Sequence, residues 1–374
     1  MKFTLYTNAL SAHQIPLAKE IVRRIGGGNF RYIYTSKDGQ KLQESSATDS
    51  WIEYLPIEKT NDWLEDAEVM LVGGIRPIDL MERRLAKGKT TFYMSERWFK
   101  PPIGILRLLH PKYFNMARRF VKLMRIEPSF VYLPIGIHSA RDMARFCGLF
   151  AGDLRCLFRA PKLAFKSRPG GLVWLKNGGD GKQYCLDKMR MWGYFVEPSQ
   201  YPNPHPHTHN SSTLKVLWVG RLLRLKRVDA IIHAVGELSQ SYSNSNFQLQ
   251  LDIYGTGPEE SRLKTLATKY GDCIRFYPPV LIADVRKLMR EHDVYVLASN
   301  GYEGWGAVVS EALEEGMKVI GTYEAGSSAT MLPESNLFHS GDWRGLLARL
   351  QTTLPTGIGN WGAKFAAKYI LYSK

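Results

Sequence analysis

Residues 294–315 read Val294-Tyr295-Val296-Leu297-Ala298-Ser299-Asn300-Gly301-Tyr302-Glu303-Gly304-Trp305-Gly306-Ala307-Val308-Val309-Ser310-Glu311-Ala312-Leu313-Glu314-Glu315. Val294–Leu297 has the pattern of a buried strand, and a helix is expected to open at about Ala307. Between them, Gly304 and Gly306 let the backbone approach a ligand closely. Free N–H groups and the positive end of the helix dipole would face the carboxyl edge of the strand, a position that favours an anion such as a diphosphate. Glu303 borders that position from the loop, and Glu311, eight residues on, borders it from the helix. An ionised carboxylate is an acceptor only, so the pair suits a hydroxyl-rich ligand. Standing alone, two such glutamates would be ordinary solvated charges.

Strand and helix alternate on the N-terminal side of this stretch. From Leu214 the pattern gives strand Lys215–Val219, helix Asp229–Leu238, strand Gln248–Tyr254, helix Glu259–Tyr270, strand Ile274–Tyr277 and helix Ala283–His292; beyond the stretch comes strand Lys318–Ile320. The first half alternates too, with strands Phe3–Thr7, Phe30–Thr35, Val69–Val72 and Thr90–Met94, and helices Ser11–Ile25, Asp79–Lys87 and Ala140–Phe150. Such alternation implies parallel sheets with helices on both faces and ligands at the carboxyl ends of the strands. A chain of 374 residues exceeds one ordinary core. The expected fold class is α/β, two Rossmann-like domains facing each other across a cleft. The expected boundaries are an N-terminal acceptor-binding domain over 1–197, a linker over 198–213, a nucleotide-sugar-binding domain over 214–354, and a helix over 355–374 that returns to the first domain.

The linker is rich in Pro, His, Asn and Ser. His205, His207 and His209 alternate closely there, yet with no carboxylate or thiol beside them they read as an extended spacer rather than a metal site. Gly26-Gly27-Gly28 follows a helix and reads as its stop, not as a phosphate loop. His138, before Ser139-Ala140-Arg141-Asp142, reads as a helix start. Cys147, Cys156, Cys185 and Cys273 lack CxxC spacing, which suits structural thiols in a reducing cytoplasm. Met1–Thr7 reads as a first strand rather than a leader, and no apolar run approaches the roughly 20 residues that span a bilayer.

The net charge of +15 is unevenly placed. Residues 1–200 carry 32 Lys and Arg against 19 Asp and Glu, whereas residues 201–374 carry 18 against 16. Arg97 to Ile126 holds eight cations and no acid, interleaved with Trp98, Phe99, Tyr113, Phe114 and Phe120. From Lys112 to Arg125 the spacing is helical, with Arg118, Arg119, Lys122 and Arg125 beside an apolar side. Three readings are open: a basic helix covering its own core, a helix on an anionic membrane surface, and a nucleic-acid patch. No nucleic-acid motif accompanies the charge, so no nucleic acid is expected as a partner.

The first strand of the second half runs into Gly220-Arg221-Leu222-Leu223-Arg224-Leu225-Lys226-Arg227, four cations within seven residues. Alone this is a surface cluster; at the edge that carries Glu303 it could neutralise a diphosphate leaving group. No GxxxxGK loop is present, and Gly255-Thr256-Gly257 misses the dinucleotide fingerprint because Glu260 stands in place of its third glycine. There is also no Asp-x-Asp, so cationic side chains would replace a divalent ion.

The 302–315 segment resembles the Glu-x7-Glu signature of retaining glycosyltransferases of family 4, which have the GT-B fold. Gly220–Lys226 resembles that family's Gly-Arg…Lys motif, Tyr254–Pro258 its Gly-x-Gly-Pro turn, and Gly316–Ile320 its glycine-leading strand. The resemblance covers roughly residues 214–345 by motif and the first half by architecture only. It implies that Arg221 and Lys226 hold the donor diphosphate, Glu311 the ribose, and Glu303 the transferred sugar. It places Gly220, Gly255, Gly304, Gly306 and Ala307 against a UDP- or GDP-linked donor, with no other cofactor and no metal. Two departures stand out in the first half. Asn8–Gln14 has no glycine pair, and Thr91–Arg97 has no histidine, leaving His13, Gln14, Ser95 and Glu96 as acceptor-side candidates with Arg97 beside them.

The expected activity is metal-independent hexosyl transfer to a lipid-linked or saccharide acceptor in bacterial surface polysaccharide or lipopolysaccharide assembly. The enzyme would be cytoplasmic and peripheral at the inner face of the cell membrane, docking through residues 97–126. The alternatives are a soluble transferase acting on a small sugar or sugar phosphate, and a non-catalytic nucleotide-binding protein at the membrane.

Overall fold

The computed structural model describes residues 1–37, 49–159, 162–167, 173–177, 185–199, 213–243 and 247–353. The chain divides into two compact units, Met1–Val196 and Glu197–Lys374. Residues 200–212 of the expected linker, with its three histidines, and the expected helix 355–374 lie outside the described residues.

In the first unit the order is β1 (Phe3–Thr7), α1 (Ile15–Ile25), β2 (Phe30–Tyr34), β3 (Ile52–Tyr54), α2 (Asp62–Asp66), β4 (Val69–Gly73), α3 (Ile78–Ala86), β5 (Thr90–Ser95), α4 (Pro111–Ile126), β6 (Phe130–Pro134) and α5 (Ile137–Leu149). An antiparallel hairpin follows, β7 (Leu163–Ser167) and β8 (Val173–Asn177). The six-stranded sheet has the order β3-β2-β1-β4-β5-β6, parallel throughout. After α5 the chain returns beside β6, with bridges Tyr132 to Met189 and Ile135 to Trp192. The glycine run ends α1 as expected, since Gly26 caps it at φ 82°. Gly136, not His138, is the N-cap of α5.

The second unit repeats this topology with β9 (Thr213–Val219), α6 (Val228–Ser241), β10 (Gln248–Tyr254), α7 (Glu260–Ala267), β11 (Ile274–Tyr277), α8 (Ile282–Arg290), β12 (Val294–Leu297), α9 (Val308–Glu314), β13 (Lys318–Thr322), α10 (Gly326–Met331), β14 (Leu337–Phe338) and α11 (Trp343–Gln351). Its parallel order is β11-β10-β9-β12-β13-β14. Strand residues alternate between two apolar layers. Val216, Trp218, Val294 and Val296 join the α6 and α11 side, while Leu217, Tyr295 and Leu297 join the α9 side. Burial on both faces explains why these strands read as continuous apolar runs. Each unit is a doubly wound Rossmann-like sheet, as expected. The order reverses between β9 and β12, so the loops after those strands flank a topological switch point, where such sheets bind ligands.

The basic segment divides once folded. Trp98 and Phe99 are buried, and α4 turns Ala117, Phe120, Val121, Leu123 and Met124 inward. Arg119 reaches Glu82 at 2.6 Å, and Arg125 donates to the Cys147 carbonyl at 2.7 Å. The apolar side of α4 therefore covers its own core. Lys112, Arg118 and Lys122 remain exposed, as do Ile103, Leu106, Leu109 and Phe114. No helix among the described residues is long and apolar enough to cross a membrane.

Candidate functional site

The loops after β9 and β10 run side by side beyond the strands. Gly220 N donates to Tyr254 O at 3.0 Å, Leu222 N to Thr256 O at 2.9 Å, and Glu259 N to Leu222 O at 3.1 Å. The approach is so close that a Cβ on Gly255, at φ 147°, would stand 1.8 Å from Gly220 O. Leu222 is fully buried and anchors the loop, which leaves its neighbour Arg221 exposed. The other three cations of the loop separate. Arg224 is exposed, Arg227 bonds Asp229 at the start of α6 at 3.1 Å, and Lys226 turns toward the loop after β12.

There Lys226 Nζ forms an ion pair with Glu303 Oε2, and both side chains are largely withdrawn from solvent. Asn300 N donates to Leu225 O at 2.9 Å, so backbone as well as side chain joins the two loops. Gly306 has φ 84°, and a Cβ there would meet Leu297 Cδ2 at 2.9 Å and Ser327 Oγ at 3.2 Å. Ser327 in α10 holds this turn, its Oγ donating to Gly306 O and its N to Trp305 O, each at 2.9 Å. Helix α9 then begins at Val308 with Ala307 as its N-cap, close to the expected opening.

Glu311 projects from the first turn of α9 and is half-buried. Burial pushes its carboxyl above the ordinary range, partly offset by Arg286 in α8. Among the described residues its carboxylate accepts no hydrogen bond. Arg286 is itself 2.5 Å from Glu315, a buried carboxylate that Arg290 also reaches at 2.8 Å. Tyr295 forms the floor, donating to Val219 O at 3.3 Å, and burial raises its phenol with smaller contributions from Glu311 and Glu303. Both glutamates thus act electrostatically on one buried ring.

The acceptor-side candidates lie in the first unit at the carboxyl ends of β1 and β5. The His13 ring stacks on Tyr194 with centroids 5.5 Å apart, Tyr194 OH donates to Glu96 Oε1 at 2.8 Å, and Lys100 Nζ donates to Glu96 Oε2 at 2.6 Å. Tyr194 was absent from the sequence reading because only the return of the chain beside β6 delivers it there. Gln14 is buried beside Met94 with its Oε1 unbonded. Ser95 is buried too, its hydroxyl shared with Tyr132 OH at 2.8 Å in a network that continues to Ser139 at 2.7 Å. The sequence reading also missed Asn300, Ser327 and Tyr295, whose residue types carry no local signal. No group of three or more His, Cys, Asp or Glu able to hold a metal occurs among the described residues.

Residues 213–354 match the family model "Glycosyl transferases group 1". Over 106 residues, 28% of this chain, the sequence is 30% identical to the UDP-N-acetylglucosamine–peptide N-acetylglucosaminyltransferase GtfA subunit of Limosilactobacillus reuteri subsp. suis. The matched stretch spans 20% of that relative's length. The lipopolysaccharide outer core galactosyltransferase WaaB in apo form superposes with a TM-score of 0.62 at 13% identity, covering 100% of this chain and 97% of that one. An alpha,alpha-trehalose-phosphate synthase (UDP-forming) from Burkholderia xenovorans in complex with glucose-6-phosphate gives 0.57 at 11% identity, covering 99% and 96%. At such identities the likeness concerns fold. The fold is GT-B, and the second unit carries a glycosyltransferase domain.

Proposed function

We propose that this chain, whose residues 213–354 form a Glycosyl transferases group 1 domain, is a retaining glycosyltransferase of the family 4 type that uses a nucleotide-sugar donor. The observation that carries this reading is the Lys226–Glu303 pair across the switch point, with the Glu311 carboxylate, unbonded among the described residues, on the adjoining helix. The half-buried Glu311 carboxylate accepts from the ribose hydroxyls. Arg221 and Lys226 neutralise the diphosphate as it leaves, an interaction that strengthens in the transition state. Glu303 orients the sugar and stabilises positive charge developing at its anomeric carbon. Cationic side chains take the place of a divalent ion, so turnover persists in EDTA.

The acceptor is lipid-linked, and the protein works as a peripheral enzyme at the cytoplasmic membrane face in polysaccharide assembly. Ile103, Leu106, Leu109 and Phe114 stand exposed beside Lys112, Arg118 and Lys122, a combination suited to anionic headgroups. A sugar-phosphate acceptor in solution is the second reading, favoured by the glucose-6-phosphate complex among the structural neighbours. Screening UDP- and GDP-sugars for acceptor-independent hydrolysis tests the enzyme reading. One or a few donors should be hydrolysed by the parent and not by Lys226→Ala; no hydrolysis and no binding across the panel would refute it.

A further inference from the structure

The first sheet also reverses its order, between β1 and β4, so the loops after those strands flank a switch point of their own. Gly73 and Gly74 close β4 and bring side chains against it. A Cβ on Gly73 would overlap Met94 of β5, and one on Gly74 would overlap the Asn8 amide from the loop after β1. Two neighbours at the end of that loop then meet the end of β5. Gln14, the N-cap of α1, lays its side-chain amide on Met94, with Nε2 3.7 Å from Sδ. His13 stacks on Tyr194, whose hydroxyl donates to Glu96 at 2.8 Å. Met94 and Glu96 are two residues apart, at most about 7 Å along the chain.

The Gln14 amide is incompletely bonded. It is 5% exposed, its Oε1 has no partner, and its other end meets only a thioether, a weak acceptor. Its backbone is satisfied without it, N donating to Ser11 O and O accepting from Ala18 N, each at 2.9 Å, and the side chain makes no cap bond to α1. Turning the amide over exchanges its ends and still leaves one without a partner. An unbonded buried amide costs free energy, and a ligand that bonds it removes the cost. Glu96 adds a second polar group at the same edge. Tyr194 and Lys100 hold one of its oxygens each, Lys100 at 2.6 Å, which fixes the carboxylate while leaving spare lone pairs and 29% of the side chain exposed.

These two groups select the ligand by its chemistry. A hydroxyl both donates and accepts, so it satisfies the amide in either orientation and also donates to a carboxylate, whereas a phosphate oxygen cannot bond to a carboxylate. We propose that Gln14 and Glu96 bind the acceptor through hydroxyls of an uncharged sugar ring at the switch point of the first unit. The acceptor role rests on the transferase reading above; the binding of a neutral sugar does not. Gln14 Oε1 is shielded from solvent, and the flexible Met94 side chain gives way as the hydroxyl enters. A free saccharide and a lipid-borne one share this chemistry, and two arms separate them.

Methyl glycosides of neutral hexoses and N-acetylhexosamines form one arm, and octyl glycosides of the same sugars, kept below micelle formation, form the other. Each is titrated into the full-length chain by calorimetry, with UDP present to occupy the diphosphate position of the second unit and glucose 6-phosphate as the charged comparison. At least one neutral glycoside should bind the parent; equal binding in both arms identifies a free saccharide, and binding of the octyl form alone a lipid-borne one. Gln14→Leu should weaken that binding by roughly threefold to tenfold and melt no lower than the parent, because it removes an unbonded amide at similar volume. Glu96→Gln should weaken it by about tenfold or more, since it loses a charged acceptor. Arg23→Ala, at the far end of α1 and 69% exposed, should bind as the parent does. A structural role for Gln14 predicts the opposite pair, a lower melt with parent affinity. A lower melt or failure to fold in Gln14→Leu, parent affinity in either site variant, no neutral glycoside bound in either arm, or binding of glucose 6-phosphate alone overturns the proposal. These are equilibrium measurements without turnover, so the nucleotide-sugar panel can fail while this site stands, and the reverse.

Discussion

Lys226 and Glu303 pair across the point where the strand order of the second sheet reverses, one from the loop after β9 and the other from the loop after β12. The pair holds the cation at the loop edge before any ligand arrives, while Arg221 beside it stays exposed. A leaving diphosphate would draw on both cations and release Glu303 toward the sugar.

Lys226→Ala and Arg221→Ala should each lower kcat by roughly a hundredfold or more, since each loses stabilisation that grows as the diphosphate leaves. Lys226→Ala should also strand the Glu303 charge, so adding Glu303→Gln to it should cost less than the single effects combined. Steady-state kinetics on the parent, the three single variants and the double variant checks this; parent turnover in both single cation variants would move the site elsewhere.

Glu311→Ala should weaken donor binding by about 1.5–3 kcal/mol, the worth of a hydrogen bond to a charged group. Because burial raises the Glu311 carboxyl, donor affinity should fall on acidification at a pH above the ordinary glutamate range. The sign for stability is opposite. A carboxyl raised in the folded state is protonated there more readily than in the unfolded chain, so its contribution worsens as pH rises through that window. Glu311→Gln should therefore melt higher than the parent at neutral pH while binding donor less well. Calorimetry for the donor and a thermal melt give the two readings, and parent values in both would remove Glu311 from the site.

Gly255→Ala should damage the site from behind, because its methyl would meet the Gly220 carbonyl at 1.8 Å and backbone cannot swing away as a side chain can. A loss of about 1–3 kcal/mol is expected, with a weaker donor interaction as the Arg221 loop is displaced. Denaturant unfolding of the variant, read beside its UDP affinity, measures both effects.

Membrane docking should depend on Lys112, Arg118 and Lys122 rather than on every cation of α4. Neutralising those three should lower affinity for anionic vesicles by about 1 kcal/mol per charge at low salt and by less at high salt. Arg119→Gln should affect vesicles less, since Asp79 and Glu82 already neutralise it, and should cost at most about 1 kcal/mol of stability as an exposed pair. Co-sedimentation across a salt series distinguishes the sets. Binding by the triple variant equal to the parent would assign the basic surface another role.

What the amino-acid order determined alone was local. The apolar run Val294–Leu297, the glycine turn and the helix after it are set by neighbours in the chain, and strands β1, β2, β4, β5 and β9 to β13 emerge within a few residues of their expected bounds because a strand buried on both faces must be apolar throughout, whereas β6 was not among the expected strands. The Glu303 to Glu311 spacing was legible for the same reason: one loop and one helical turn place both. The short strands β3 and β14 were not legible, since too few residues carry a period. Nor was the fate of the cations. In sequence Arg118, Arg119, Lys122 and Arg125 are equivalent, and only folding sets Arg119 against Glu82 and Arg125 against the end of α5. Tyr194 joins His13 and Glu96, Lys226 joins Glu303, and Arg97 joins Asp142 through contacts between residues distant along the chain. Such contacts are fixed by sheet order and helix packing, which local periodicity does not encode, so the tertiary structure alone decided which charges are neutralised and which stay available to a ligand.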